Sequence, residues 1–182
     1  NLLGAEQHGH IAAVGFDLYV KLLGEAVGEL RGEPAETAVD PAIVVPVEAY
    51  LPDAYVAEIN QRLALYKRLA GLTRLEEIGA VRAELQDRFG TLPAPVERLL
   101  EVVWLRVEAR ALGIERLEAT AGTALLTFSP ATPVPPERLL TVIREGRGTI
   151  RLKREFVVEA AIPRSPWPAV HRALGELLGR FQ

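Results

Sequence analysis

Three apolar stripes at helical spacing follow one another through the middle of this chain. Each is closed by a glycine, and directly after the third the apolar period changes. Val56, Ile59, Leu63, Tyr66 and Leu69 form the first stripe, in a helix predicted to open at Pro52-Asp53 and to stop at Gly71. Leu75, Ile78, Val81, Leu85 and Phe89 form the second, with Thr73 as its expected N-cap, Glu76 completing a capping box, and Gly90 as its end. The third starts at Pro93 or Pro95 and carries Val96, Leu99, Leu100, Val103, Val107 and Ala111 up to Gly113. Connections this short predict that the helices are packed as neighbours. From Ile114 the pattern turns strand-like: residues 114–120 and 123–128 flank Ala121-Gly122 and predict a β-hairpin. A short helix over Pro136–Glu145 follows, with Leu139, Leu140 and Ile143 expected inward. A second strand pair is expected at 149–153 and 156–160, and a final helix over 166–181 using Val170, Leu174, Leu177 and Leu178. Helices first and hairpins afterwards is the order of an α+β fold.

The first part of the chain is different. Residues 1–9 read as a glycine-punctuated loop. Residues 10–30 read as a helix on Val14, Leu18, Leu22, Leu23, Val27 and Leu30. Gly15, Gly24 and Gly28 each weaken that helix by about 1 kcal/mol relative to Ala, so it needs a packing partner. An acidic, Pro-containing stretch without apolar period leads to the β-branched Ile43-Val44-Val45, a short expected strand. The predicted division is therefore an N-terminal helical appendage over 1–32, a linker over 33–42 and an α+β domain over 43–182. In that domain a helical layer packs with a small sheet of hairpin strands and further helices.

Composition narrows the function classes. Apolar residues are 49% of the 182, enough for a core, and the net charge of −3 gives no global attraction to nucleic acid. The absence of cysteine removes disulfides, thiolate catalysis and Cys-based metal sites. No run reaches the roughly 20 apolar residues of a membrane helix, and the first residues are not a signal peptide. With Asn at position 1 and no methionine, the chain is expected to be a fragment or a processed product.

Few residues offer chemistry. His8-Gly9-His10 matches neither a zinc helix nor a Cys/His framework, so no metal site is expected. His171 has no Ser or Asp at a recognisable spacing. There is no Gly-x-Ser-x-Gly and no Gly-x4-Gly-Lys-[Ser/Thr] phosphate loop, so no catalytic residues are assigned. Arg144, Arg147, Arg151, Lys153 and Arg154 form a basic cluster around a turn, with Arg151 and Lys153 on one strand face. Such a cluster can contact phosphates, although Glu145 and Glu155 dilute it. The most informative surface lies on the second helix. At 100° per residue, Ile78, Leu85 and Phe89 take one side, and Glu84, Asp87 and Arg88 fall together on the other. A contiguous, mixed-charge face of this kind is a solvated surface by default. As a docking patch it would fix register and orientation through charge-assisted pairs.

Two stretches resemble a known family. Residues Asn1-Leu2-Leu3-Gly4-Ala5-Glu6-Gln7-His8-Gly9-His10-Ile11, with Val14-Gly15-Phe16-Asp17-Leu18-Tyr19, are similar to the end of the translocase module of bacterial transcription-repair coupling factors. Tyr50-Leu51-Pro52-Asp53, Arg62-Leu63-Ala64-Leu65-Tyr66-Lys67-Arg68-Leu69-Ala70 and Glu84-Leu85-Gln86-Asp87-Arg88-Phe89-Gly90-Thr91-Leu92-Pro93 resemble the C-terminal domain of that family.

The resemblance implies a large cytoplasmic, ATP-dependent DNA translocase as the parent. Such a parent pushes stalled RNA polymerase from double-stranded DNA and recruits the excision-repair protein UvrA. Residues 1–9 then match the tail of a translocation motif shared with RecG-type helicases, and Gln7 is its glutamine. Both ATPase lobes are missing here, so the fragment itself is expected to be non-catalytic and without cofactor, with ATP and magnesium belonging to the parent. The C-terminal domain of the family is implied to be regulatory. It docks on the N-terminal UvrA-binding module of the same protein through a Glu-x-x-Asp-Arg pattern, matched here by Glu84, Asp87 and Arg88, with Gln86 facing roughly as Asp87 does. No membrane partner is implied. An accessory DNA-binding domain using Arg144 to Arg154 is the competing expectation.

Overall fold

The computed structural model describes residues 40–182, which form five helices, five strands and their connections. The expected helix over 10–30, Gln7, His8, His10 and most of the 33–42 linker lie outside the described residues. The described residues make two compact units. One comprises Glu48–Trp104; the other comprises residues 40–47 together with Leu105–Gln182.

The first unit holds α1 (Ile59–Ala70), α2 (Leu75–Phe89) and the beginning of α3 (Ala94–Ala111). Its core takes most of the stripes read from the sequence: Val56, Tyr66, Leu69, Ile78, Val81, Leu85, Val96, Leu99, Leu100 and Val103 are buried, Leu65 joins them from outside the expected stripe, and Ile59, Leu63 and Phe89 are half-buried instead. Burying each large aliphatic chain contributes about 1.5–3 kcal/mol, which helices of modest propensity need in order to form.

Two helix starts differ from expectation. α1 begins at Ile59 rather than near Asp53. The main-chain N–H groups of Tyr55 and Val56 both donate to the carbonyl of Pro52, closing a local turn, and Glu58 is then extended. The Arg62 guanidinium takes the carbonyls of Val56 (2.6 Å) and Ala57 (3.0 Å), so they are satisfied without a helix. α2 is capped at Arg74, one residue later than Thr73. The closing carboxylate is Glu77, not Glu76: it accepts the N–H groups of Thr73 and Arg74, both at 3.1 Å. Glu76 instead lies at the surface beside Arg74. Leu75, expected inward, is 37% exposed because the apolar face only begins a turn later, at Ile78.

The second unit is built on one sheet of order β1-β2-β3-β5-β4. β1 (Ala42–Val44) lies parallel to β2 (Ile114–Thr120), one residue earlier than expected. β2 and β3 (Thr123–Phe128) form the predicted hairpin, and β5 (Val157–Ala161) and β4 (Ile150–Arg154) extend the sheet antiparallel. The hairpin turn places Ala121 at φ +46 and Gly122 at φ +90, the pair of positive angles that a type I′ turn requires. Buried Leu117, Leu126, Val158, Leu174 and Leu178 fill this core, and the Phe128 and Phe181 rings meet edge to face at 5.2 Å. α4 (Pro136–Glu145) uses Val142 as its fully buried residue. Leu140, expected inward, is 58% exposed, and Leu139 and Ile143 are half-buried. The end of the helix packs closely here, the Gly146 backbone lying directly against Ile150. α5 spans Trp167–Gly179, with its four predicted leucine and valine positions buried.

The part of α3 in this unit buries two charged residues that its apolar period does not announce. Arg106 is 3% exposed and pairs with Asp40, while Glu108 is 8% exposed and accepts the Gln182 side-chain amide. Burial raises the Glu108 carboxyl above the usual carboxylate range, and the Gln182 hydrogen bond only partly opposes it.

Candidate functional site

In α2, Ile78, Val81 and Leu85 are buried, Glu84 is half-buried, and Asp87 and Arg88 are exposed; helical spacing puts Asp87 opposite Ile78 and Leu85, while Arg88, seven residues after Val81, flanks the buried stripe. The helix is held firmly where it carries them. The Tyr55 hydroxyl, close to the carbonyls of both Leu85 (3.0 Å) and Gly90 (2.9 Å), donates at the end of α2. The Tyr55 ring also lies 5.7 Å from that of Phe89. On another side, Arg82 makes a two-pronged pair with Glu97 of α3, its Nη2 reaching Oε1 at 2.5 Å. The site therefore sits on a supported element rather than a loop.

Within the site, the three side chains are not equivalent. Glu84 gives one carboxylate oxygen to Arg88, whose Nη1 donates at 2.9 Å across one helical turn. Its other oxygen accepts Nη1 of Arg68 from the last turn of α1. Those two hydrogen bonds, Arg68 first, hold the Glu84 carboxyl below the usual carboxylate range. Arg88 also lies with its guanidinium carbon 4.8 Å above the Phe89 ring. Asp87 and Gln86 are exposed, and Asp87 has no ion pair among the described residues.

Arg68 was not singled out by sequence reasoning. Its signal was present only as a cation off the apolar stripe of α1, in the Tyr66-Lys67-Arg68 run. The helix pairing that brings it to Glu84 is not visible in either period.

The basic cluster is dispersed over three elements. Arg144 ends α4, Arg147 sits in the following turn at φ +46, and Arg151, Lys153 and Arg154 belong to β4. All five are exposed. Alternation does place Arg151 and Lys153 together, and both reach Glu159 of β5: Arg151 Nε at 2.6 Å and Lys153 Nζ at 3.2 Å. These contacts, Arg151 first, lower the Glu159 carboxyl. Glu159 was also missed; it stands opposite Arg151 in the β4–β5 register. Arg144, Arg147 and Arg154 have no ion pair among the described residues. His171 is half-buried with its ring 5.7 Å from Trp167.

A family model described as the TRCF domain matches residues 45–139. The chain is 34% identical over 163 residues to the transcription-repair-coupling factor of Myxococcus xanthus, a match covering 90% of this chain and 14% of that protein. It is 40% identical over 176 residues to the transcription-repair-coupling factor of Mycobacterium tuberculosis (strain CDC 1551 / Oshkosh), covering 91% of this chain and again 14% of the relative. With the corresponding protein of Escherichia coli (strain K12) it shares 35% identity over 156 residues, covering 83% and 14%. The chain thus spans about one seventh of the length of these relatives. In fold it is similar to the crystal structure of the C-terminal domain of transcription-repair coupling factor. That likeness has a TM-score of 0.66 at 19% identity and covers 81% of this chain and 97% of that one.

Proposed function

This chain belongs to the transcription-repair-coupling factor family and has the α+β fold of its C-terminal domain; from that premise we propose that it is the non-catalytic regulatory domain of an ATP-dependent DNA translocase. In this reading it docks on the N-terminal UvrA-binding module of the same protein and masks it until stalled RNA polymerase is engaged. ATP and magnesium act elsewhere in the longer, cytoplasmic protein. Among the described residues no helix is long and apolar enough to cross a membrane.

One observation carries the proposal: the firmly mounted face of α2 that presents Asp87, without an ion pair among the described residues, beside Arg88 and Glu84. Exposed charges of this kind contribute little to folding and have their use in orienting a partner. Docking within one polypeptide proceeds at high effective concentration, so a few such contacts are enough to hold a closed state. Engagement of polymerase or DNA elsewhere then shifts the population toward the open state and uncovers the UvrA-binding surface.

Reversing the charges of both residues, Asp87→Arg with Arg88→Glu, in the full-length protein is expected to raise its affinity for UvrA by about tenfold, equivalent to about 1.4 kcal/mol. Unchanged affinity in a protein that unfolds at the wild-type temperature would count against the docked state.

A second reading is contact with duplex DNA through Arg144, Arg147 and Arg154, favoured by their exposure and lack of ion pairs among the described residues. Titration of the chain against duplex DNA at two salt concentrations tests it. Steeply salt-dependent binding supports phosphate contact, and binding that ignores salt rejects it.

A further inference from the structure

We infer that β1 is a detachable strap: residues 40–44 leave the sheet as a unit while the rest of that sheet stays folded, and Asp40 on Arg106 is the contact that holds them down. The inference is independent of the docking reading above.

The strand is small and cannot grow. β1 is three residues long, stands at an edge of the sheet and, among the described residues, pairs with β2 alone. Its partner is remote in the chain, with Ile43 set against Leu117 in the register. Pro41 directly before it and Pro46 shortly after it have no N–H to add to a ladder, so the pairing is bounded on both sides. Beyond the strand the N–H of Val47 donates to the carbonyl of Val45 at 2.9 Å, closing a tight turn around Pro46. Little apolar surface is committed. Pro41 and Ile43 are buried, Ala42 is half-buried and Val44 is exposed.

A charge completes the seat. The Arg106 side chain on α3 is only 4% exposed, and Asp40, 54% exposed, pairs with it from the first residue of the strap. Burial on the arginine side fixes the direction of the pair and limits its screening by salt. Asp40 is thus a positioning residue for β1: it is tied down one residue ahead of Pro41 and so brings Ile43 to its place.

The other strands do not depend on β1. β2 joins β3 through their hairpin, β3 pairs with β5, and β5 pairs with β4. Leu126, Phe128 and Val158, all buried, lie on strands with which β1 makes no pairing. The free energy of a local opening follows the surface that it exposes, so release of β1 requires far less than unfolding of the sheet. Release also changes the connection to the residues before Asp40. The next anchored point is Tyr50, whose N–H donates to the carbonyl of Pro95 at 3.3 Å, followed by buried Leu51 on the Tyr66 hydroxyl. With β1 docked, the preceding chain is tied to the sheet edge. With β1 released it is tied at Tyr50, and the intervening residues can extend to roughly 33 Å.

Because the chain has no cysteine, one introduced thiol reports one position. Ile43→Cys on the strap is compared with Ala124→Cys on β3, where the native side chain is fully buried, by reaction with Ellman's reagent in native buffer. The Ile43→Cys thiol is expected to react at least about 100-fold faster, with denaturant below the unfolding transition accelerating chiefly the Ala124→Cys thiol. Adding Asp40→Asn is expected to speed the strap thiol roughly three- to tenfold and to leave the β3 thiol unchanged. Ile43→Cys itself removes part of the side chain that seats the strap, so hydrogen exchange of the unaltered chain gives a second measurement. Amides of residues 42–45 are expected to exchange well ahead of those of β3 and β5. Equal rates with equal denaturant dependence at the two thiols, or amides of β1 as protected as those of β3, overturn the strap. A strap thiol whose rate ignores Asp40→Asn overturns the role given to the ion pair.

Discussion

The hydroxyl oxygen of Tyr66 accepts the main-chain N–H of Leu51 at 2.7 Å, with both residues buried. The bond joins two of the sequence stretches that carry the family resemblance, Tyr50-Leu51-Pro52-Asp53 and the Arg62–Ala70 run. It gives a physical reason for a tyrosine at that place in α1. Tyr66→Phe keeps the ring and strands a buried donor, which costs about 1–3 kcal/mol. A urea midpoint lowered with an unchanged slope would confirm this, and a wild-type midpoint would refute it.

Gly146 is required for a different reason. A β-carbon there would stand 2.6 Å from the Cβ of Ile150 and 3.1 Å from its main-chain nitrogen. Since Ile150 is buried and its backbone is paired with β5, the neighbour has nowhere to retreat. Gly146→Ala is expected to destabilise by about 1–3 kcal/mol as overpacking does, despite the helical φ of −68 at this residue. Equilibrium unfolding in denaturant measures it, and a neutral or stabilising result would contradict the close packing.

Ala121 occupies the first position of the β2–β3 turn at φ +46, where asparagine or glycine is the favoured residue. Ala121→Asn is exposed and loses no packing. It is expected to stabilise the chain by about 0.5–1 kcal/mol by relieving the left-handed strain of alanine. A melting temperature equal to or below wild type would show that the turn is not strained as described.

Glu108 predicts a pH dependence with a definite sign. Burial raises its folded pKa above the unfolded value, so the folded state binds more protons. Its unfavourable contribution is absent below the ordinary carboxylate pKa and grows as pH rises from there toward the raised value. Glu108→Gln is therefore expected to raise the melting temperature at neutral pH, with the gain vanishing below about pH 3, where the wild-type carboxyl is protonated in both states. Thermal scans at several pH values test this. An equal effect at every pH would assign the change to packing or to the Gln182 hydrogen bond instead.

Glu159 holds Arg151 and Lys153 within the protein. If the basic cluster contacts duplex phosphates, Glu159→Gln frees two cations. The slope of log affinity against log salt should then steepen by up to about two. A slope that does not move would take β4 out of any phosphate contact.

Helix and strand content was legible because it depends on spacing along the chain. The glycine stops at 71, 90 and 113 fall where the helices end, and the hairpin turn lies at Ala121-Gly122. Errors arose where side chains replaced a backbone pattern. Arg62 supplied the carbonyls of Val56 and Ala57 with donors, and α1 started late. Glu77 rather than Glu76 reached the amides at the head of α2. On α4, Val142 took the buried place expected for Leu140.

The chain's own periodicity determined which residues form helices and strands and which side of α2 faces solvent, since a helical or strand period is a local property that neighbouring residues enforce on one another. The three-dimensional arrangement decided which charges meet. Arg68 and Glu84 are 16 residues apart, Arg106 and Asp40 are 66 apart, and Gln182 and Glu108 are 74 apart. Electrostatic pairing acts through distance in space, so only the packing of α1 beside α2 could turn an exposed glutamate into the support for two arginines.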